Sequence, residues 1–408
     1  MPALFITERL PTKILRSNNQ MEIKWANRIN ELPPYLFAEI DAKIEELTKQ
    51  GRDIIDLGVG DPDLPTPKNI IQALERAAND PANHRYPSYV GMLGFREAAA
   101  DWMKARFGVE VEPQSEVLAL IGSKEGVAHI PMAFIDPGDV VLVPDPGYPV
   151  YPVSTTFAGG VPWLMPIRKE NGFLPDFSEI PADILKKARL MFLNYPNNPT
   201  TAVAEKGFFE DVVELAAKHN IIVCHDAAYT EVAFDGYKPM SFLEVDGAGE
   251  VGIELHSHSK TFNMTGWRLA FAAGNKRVIG GLGKVKTNID SGAFQAIQIA
   301  GIEAFASHPE GLDERIKIFE HRRDIFCKGL DDIGLKYTRP KATFYIWIEV
   351  PEGSSSKDFA AKLLAEAGCV MTPGNGFGKY GEGYVRVSTT IATERLEEAI
   401  ERLKSIKL

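Results

Sequence analysis

The run Leu190-Met191-Phe192-Leu193-Asn194-Tyr195-Pro196-Asn197-Asn198-Pro199-Thr200 decides the reading of the fold. Four apolar residues, cut off by a cluster of Asn and Pro, read as a short buried strand that ends in a turn. The pattern recurs downstream. Ile221–Cys224 runs into His225-Asp226-Ala227-Ala228-Tyr229, and Ile253–His256 runs into Ser257-His258-Ser259-Lys260. Upstream, Val117–Ile121 and Val140–Val143 are strands of the same kind. Between two of them, Gly207–His219 carries apolar residues at Phe208, Val212, Leu215 and Ala216, the spacing of one helix face. Short apolar strands alternating with helices predict an α/β architecture, a mostly parallel sheet covered on both faces.

The C-terminal third is patterned differently. Helical spacing runs from about Ala296 to Leu330, followed by an alternating strand over Ala342–Val350 and a helix near Lys357–Ala367. A strand at Tyr384–Ser388 and a last helix from Thr393 complete what reads as a smaller α+β domain. Ile23–Gln50 reads as a helical arm that Pro33-Pro34 interrupts. A chain of 408 residues exceeds what one core usually serves. The expected division is a poorly ordered extension over 1–20, an N-terminal arm with part of the small domain over 21–65, a large domain over 66–295 and the small domain over 296–408.

Composition excludes several classes. The net charge of −10 disfavours non-specific binding to nucleic-acid phosphates. No apolar run is long enough to span a bilayer. Cys224, Cys327 and Cys369 are odd in number, far apart and without a Cys-x-x-Cys pair, so neither a disulfide framework nor a cysteine zinc site is expected, and a reducing cytoplasm fits. No metal is expected: His256 and His258 stand two apart on a strand, with no carboxylate or further His at ligand spacing.

In an open parallel sheet, ligands sit outside the carboxyl ends of the strands. Asn198 follows one such end, Asp226 and Tyr229 the next, and Ser257, Ser259 and Lys260 the third, with Gly266-Trp267-Arg268 close behind. Each is weak alone: a lysine is usually a solvated charge, an Asp after a strand usually a cap, Pro-Asn-Asn-Pro usually a turn. Together they match what pyridoxal 5′-phosphate demands. Its aldehyde needs an amine, its ring nitrogen a buried carboxylate, its phenolic oxygen donors, and its phosphate an arginine fork with hydroxyls and backbone N–H groups.

These residues resemble the class I/II aminotransferases of fold type I over about residues 31–390. Asn198-Pro199-Thr200 resembles that family's Asn-Pro-Thr element, which implies Asn198 at the phenolic oxygen. The resemblance implies Asp226 at the ring nitrogen, Tyr229 sharing the phenolic oxygen, and Lys260 as the lysine that holds the cofactor as an imine. It implies Ser257, Ser259 and Arg268 toward the phosphate. Gly122-Ser123-Lys124-Glu125-Gly126 follows a strand and opens a helix, so Ser123 and Lys124 join the phosphate cup. Pro146-Gly147-Tyr148-Pro149 is similar to the element whose aromatic ring, here Tyr148, stacks on the cofactor. Tyr86-Pro87-Ser88-Tyr89-Val90-Gly91 is similar to a segment that gives its tyrosine, Tyr86, to the neighbouring subunit, which implies a homodimer. Gly383-Tyr384-Val385-Arg386-Val387-Ser388 is similar to the strand whose arginine, Arg386, grips a substrate carboxylate.

Tyr35, Gly60 and the triplet Ser123-Lys124-Glu125 resemble the LL-diaminopimelate aminotransferases within that family. That implies amino acids and 2-oxo acids as partners, with transfer between glutamate and tetrahydrodipicolinate. Tyr35, Gly60, Lys124, Tyr148, Asn198 and Arg386 are then the substrate-binding set. One departure is that Asn288–Gly292 offers Ser291 where that pattern carries an asparagine. The alternatives are an aminotransferase for aspartate, alanine or aromatic amino acids, and a non-catalytic effector-binding module. A basic helix-turn-helix segment, which such a regulator needs, is missing, and so is the Gly-x-Gly-x-x-Gly opening of a nicotinamide dehydrogenase.

Overall fold

A computed structural model describes residues 23–32, 44–307 and 310–407. Tyr35, the 1–20 extension and the Pro33-Pro34 break lie outside the described residues. The contacts divide the chain into a unit ending at residue 33 and a second unit from residue 34 onward. Of the first unit, residues 23–32 are described and hold the short helix Asn27–Asn30.

The described residues of the second unit contain twelve strands. They are β1 (Ile55–Asp56), β2 (Val117–Leu120), β3 (Val140–Asp145), β4 (Val161–Pro166), β5 (Ala188–Leu193) and β6 (Ile222–Asp226). Then come β7 (Gly252–Ser257), β8 (Ala270–Gly274), β9 (Tyr345–Glu349), β10 (Cys369–Val370), β11 (Thr372–Pro373) and β12 (Tyr384–Ser388). Seven form one sheet in the order β2-β8-β7-β6-β5-β3-β4. All its pairings are parallel except those of β8, which runs antiparallel to both neighbours. A second sheet, β11-β12-β9, is antiparallel, and β1 pairs with β10.

Both faces of the large sheet are buried, and the two-residue strand period sorts side chains between them. Leu118, Leu120, Val141, Val143, Leu190, Phe192 and Cys224 pack on one face with Val127 and Ile130 of helix Ser123–Phe134 and Leu282 of helix Lys276–Ile289. The intervening Val140, Leu142, Met191, Leu193 and Val223 face the other side, against Phe209, Val212 and Ala216 of helix Lys206–His219. Continuous apolar runs are therefore required, since neither face meets water.

Several boundaries differ from the sequence expectation. The helical region from residue 296 is two helices, Gln295–Ala306 and Glu310–Ile333. The strand expected from Ala342 begins at Tyr345, and Ala342 makes only an isolated bridge to Ala233. Within the expected arm, the helix over 44–49 is the second unit's first described element. Among the described residues no helix is long and apolar enough to cross a membrane.

Candidate active site

Parallel pairing brings the carboxyl ends of β3, β5, β6 and β7 to one edge of the sheet. Because β8 runs the other way, the segment leading into it, with Arg268, lies at that same edge. A cavity of about 490 Å³ opens there, with Arg386 of β12 and Tyr345 of β9 on its wall. It gathers Asn198, Asp226, Tyr229, Ser257, Ser259, Lys260 and Arg268, and also Gly60, Ser123, Lys124, Tyr148 and Arg386. Tyr86 is not among its lining residues; it is 83% exposed.

Lys260 sits on a single helical turn, His258–Thr261, directly after β7. Its Nζ donates to the Gly60 carbonyl at 2.7 Å. Burial pushes the ammonium down to about 8, assisted by the cationic Arg386 and Arg268 and opposed by Asp61 and Asp226. A lysine there is part free amine at neutral pH, as a nucleophile and proton carrier must be. Gly60 leaves room for the Tyr345 ring beside it: a Cβ there would lie 1.9 Å from the Tyr345 hydroxyl.

Asp226 ends β6 and is buried. Its Oδ2 accepts from the Tyr151 hydroxyl at 3.1 Å, while Oδ1 is buried with no hydrogen-bond partner. Burial pushes the carboxyl up to about 6, with the Tyr151 hydrogen bond pulling the other way. A buried oxygen left without a donor is costly, and an incoming N–H satisfies it. Tyr148 and Tyr151 stand one turn apart, rings edge to face at 5.7 Å, and Tyr151 stacks on Phe192 at 4.8 Å.

The Asn-rich turn is held by its own amides. Asn194 donates from Nδ2 to the Asp226 carbonyl at 2.6 Å and accepts from the Asn198 N–H at 2.8 Å. This ties the ends of β5 and β6 together and sets Asn198. Asn198 Oδ1 accepts from Arg386 Nη1 at 2.7 Å, which leaves its Nδ2 to donate. Arg386 also donates from Nη2 to the Gly58 carbonyl at 2.5 Å, and its guanidinium lies over the rings of Tyr345 and Phe377 at 4.1 and 4.7 Å. Its Nε is buried without a partner. The Tyr229 and Tyr345 hydroxyls are 3.1 Å apart, and burial holds Tyr229 protonated well beyond its ordinary range.

At the other end, Gly122 adopts φ +102°, and a Cβ there would lie 2.0 Å from Arg268 Nη2. Only glycine lets that guanidinium approach the turn that opens helix Ser123–Phe134. Arg268 Nη1 reaches Ser259 Oγ at 3.5 Å, and Ser257 Oγ accepts from the Ser259 N–H at 3.3 Å. Hydroxyls, a guanidinium and first-turn N–H groups form an anion cup. The site therefore fits pyridoxal 5′-phosphate: an amine, a buried acid with an open oxygen, hydroxyl and amide donors, and the cup.

Sequence reasoning missed Tyr151, Tyr345, Phe377, Asn194 and Asp61, all on the cavity wall. Tyr151 had one usable signal, its place three residues after Tyr148 where helix Val150–Phe157 begins; Tyr345 and Phe377 come from remote segments and had none. One expectation is corrected. His256 does have a carboxylate, since its Nε2 is 3.0 Å from Glu254, whose other oxygen is 2.8 Å from His225 Nδ1. Alternation along β7 places residues 254 and 256 on the same face. His225 Nε2 accepts from the Tyr195 N–H at 3.2 Å, so its Nδ1 carries the hydrogen toward Glu254. Burial works against the Glu254 charge, but the two imidazoles hold its carboxyl well below the usual range. Glu254 also accepts from the Ser241 hydroxyl at 2.5 Å and the Phe242 N–H at 2.6 Å, and none of the three side chains lines the cavity.

The family described as aminotransferase class I and II matches residues 52–403. An LL-diaminopimelate aminotransferase of Syntrophobacter fumaroxidans is 58% identical over 381 residues, covering 93% of this chain and 98% of that one. One from Moorella thermoacetica is 55% identical over the same length, again with 93% and 98% covered. Among solved structures, substrate-bound BacF from Bacillus subtilis superposes with a TM-score of 0.90 at 41% identity, covering 94% of this chain and 98% of that one.

Proposed function

The chain belongs to the aminotransferase class I and II family, and we propose that it moves an amino group between glutamate and tetrahydrodipicolinate, with LL-diaminopimelate and 2-oxoglutarate as products. It is a pyridoxal 5′-phosphate enzyme, as its family is. The observation that carries the chemistry is the pair Asp226 and Lys260 on one cavity wall, an acid with an open oxygen and an amine with a lowered pKa. The substrate assignment is supported by the two relatives above and by Lys124 lining the cavity, where a cation meets the second carboxylate of a long dicarboxylic amino acid.

When bound, the cofactor supplies an aldehyde that takes up amines and a cationic ring that withdraws electrons. The residues of the chain do the rest. With the cofactor bound, Asp226 would keep its ring nitrogen protonated by charge. Asn198 Nδ2 and the Tyr229 hydroxyl would donate to its phenolic oxygen, and Tyr148 would cover its ring. Ser123, Ser257, Ser259 and Arg268 would hold its phosphate. Arg386 grips the α-carboxylate through its fork, its unpartnered Nε included. Lys260 Nζ takes the substrate α-proton as base and returns a proton as acid.

The same reading gives a homodimer with Tyr86 of one protomer at the cavity of its partner, working in the cytoplasm. Exposed Tyr86, Tyr89, Leu93 and Phe294 support the interface, and three free buried cysteines suit a reducing compartment. It also keeps a large domain over 66–295 and a small one over 296–408, in line with the three-stranded sheet being built wholly from later residues.

The test is an assay of LL-diaminopimelate with 2-oxoglutarate against aspartate, alanine and tyrosine as donors. A preference in kcat/KM of about 100-fold or more is expected, with ping-pong kinetics. Equal or faster turnover of one of the other donors would overturn the substrate assignment. Arg386→Lys removes the planar fork while keeping the charge. The donor KM should rise at least about tenfold, the worth of one charged hydrogen bond. An unchanged KM would remove Arg386 from the carboxylate site.

A further inference from the structure

Lys286, on the last turn of helix Lys276–Ile289, is a buried cation, 1% exposed, that the amino-transfer chemistry does not use. Its ammonium donates to both oxygens of Glu125, at 3.0 and 3.1 Å, and to both of Asp290, at 2.8 and 3.1 Å. His129 Nδ1 lies 3.5 Å from Glu125. The ligand atoms of Glu125, His129 and Asp290 fall within 4.8 Å of one another, a spacing that also suits a metal ion. Here the lysine itself supplies the positive charge. An ammonium taken out of water is retained only where carboxylates surround it closely, so the cluster is a rigid junction.

One arm of that junction ends at the cavity wall and the other at the segment 86–91, which is not part of that wall. Glu125 Oε2 accepts from the Ile121 N–H at 2.6 Å, which clamps the turn Ile121-Gly122-Ser123 between β2 and its helix. Ser123 and Lys124, next in line, are on the cavity wall. Asp290 Oδ1 accepts from the Gly292 N–H at 2.6 Å. Gly292 packs so tightly on the neighbouring segment that a Cβ there would lie 3.0 Å from the Ser88 carbonyl oxygen. Helix N–H groups attract an anion only where their direction is fixed, and here a buried ion cluster fixes it.

We infer that Lys286, Glu125 and Asp290 are positioning residues that pre-set the phosphate end of the cavity, holding the opening turn of helix Ser123–Phe134 and the segment 86–91 in register with each other. This rests on the aminotransferase reading for the identity of the anion. The experiment compares two ligands on apoenzyme by fluorescence quenching, pyridoxal 5′-phosphate and pyridoxal, which lacks the phosphate. In Lys286→Met the ratio of the two dissociation constants should shrink about tenfold to 100-fold, the usual effect of a misplaced contact, while pyridoxal binding changes less than about twofold. Because Lys286→Met leaves two carboxylates facing each other, Glu125→Gln is measured beside it and should shrink the ratio in the same direction, with Lys286→Arg recovering part of it. An unchanged ratio in the variants that fold overturns the proposal. So does a parallel loss of both ligands, which marks a role in folding alone. If the wild-type protein itself shows no preference for the phosphorylated ligand, the aminotransferase reading fails first.

Discussion

Lys260→Ala will lower kcat about ten-thousand-fold or more without unfolding the protein, because in the proposed mechanism it removes both the amine that meets the cofactor and the base that moves the α-proton. The measurement is steady-state amino transfer with a thermal melt on the same preparation. Turnover within about tenfold of wild type would remove Lys260 from the chemistry. Stability supplies an independent reading. Burial brings the folded-state Lys260 ammonium down to about 8, against an ordinary value near 10.4. Between those values the unfolded chain holds more protons than the folded one, so apoenzyme stability rises with pH through that window and carries its full penalty below it. The gap corresponds to about 3 kcal/mol, reduced by about 1 kcal/mol for the hydrogen bond to Gly60 that the variant loses. At pH 7 the variant apoenzyme should therefore melt no lower than wild type, and this relative advantage should disappear above pH 10.4. A much lower melting point at pH 7 would show that the lysine holds the fold rather than the ligand.

Asp226→Asn should cost two to four orders of magnitude in kcat/KM, from the roughly 3–5 kcal/mol lost when one partner of a buried charge pair is removed. The amide still fills the space beside Tyr151 but cannot hold a ring nitrogen in its cationic form. Again the apo and loaded proteins should respond with opposite signs. In the empty site, burial pushes Asp226 up to about 6, so the folded state holds the extra proton, and stability falls as pH rises from about 4 toward 6. At pH 7 the wild-type apoenzyme bears a buried charge, only partly offset by the Tyr151 hydroxyl, that Asp226→Asn lacks. The variant should melt higher than wild type when empty and lower when loaded with cofactor. Thermal melts with and without pyridoxal 5′-phosphate decide it, and a variant that is weaker in both states would contradict the role given to the carboxylate.

Much of this site is legible in the chain because strand ends announce themselves. Leu190–Leu193 and Ile221–Cys224 are apolar on both faces, so their borders with polar residues are sharp, while Ile253–His256 alternates Ile and Leu with Glu254 and His256 before the Ser-rich border. Chemistry-bearing residues at those borders share an edge once the strands are parallel. The strands that escaped notice had weak local signals. Ala270–Gly274 is mostly Ala and Gly, which fit a helix or loop as well as a strand, and it becomes a strand because β2 and β7 flank it. Val161–Pro166 holds two prolines and survives at the edge of the sheet, bonded on one side only. Tyr86 and Tyr35 are cases of another kind. Tyr86 faces outward on its own chain, and Tyr35 is outside the described residues.

By itself the sequence determined the α/β layering, the cavity edge and the identity of Asn198, Asp226, Tyr229, Lys260 and Arg268 as its candidates, because apolar period and turn chemistry are local properties. Only the tertiary structure decided what surrounds them. Tyr151 bonded to Asp226, Tyr345 beneath Arg386, the Gly60 carbonyl on Lys260 and Lys286 bonded to Glu125 are contacts between segments far apart in the chain. Such contacts exist only after the sheet has closed, and the lowered Lys260 and raised Asp226 pKa values follow from the burial that closure produces.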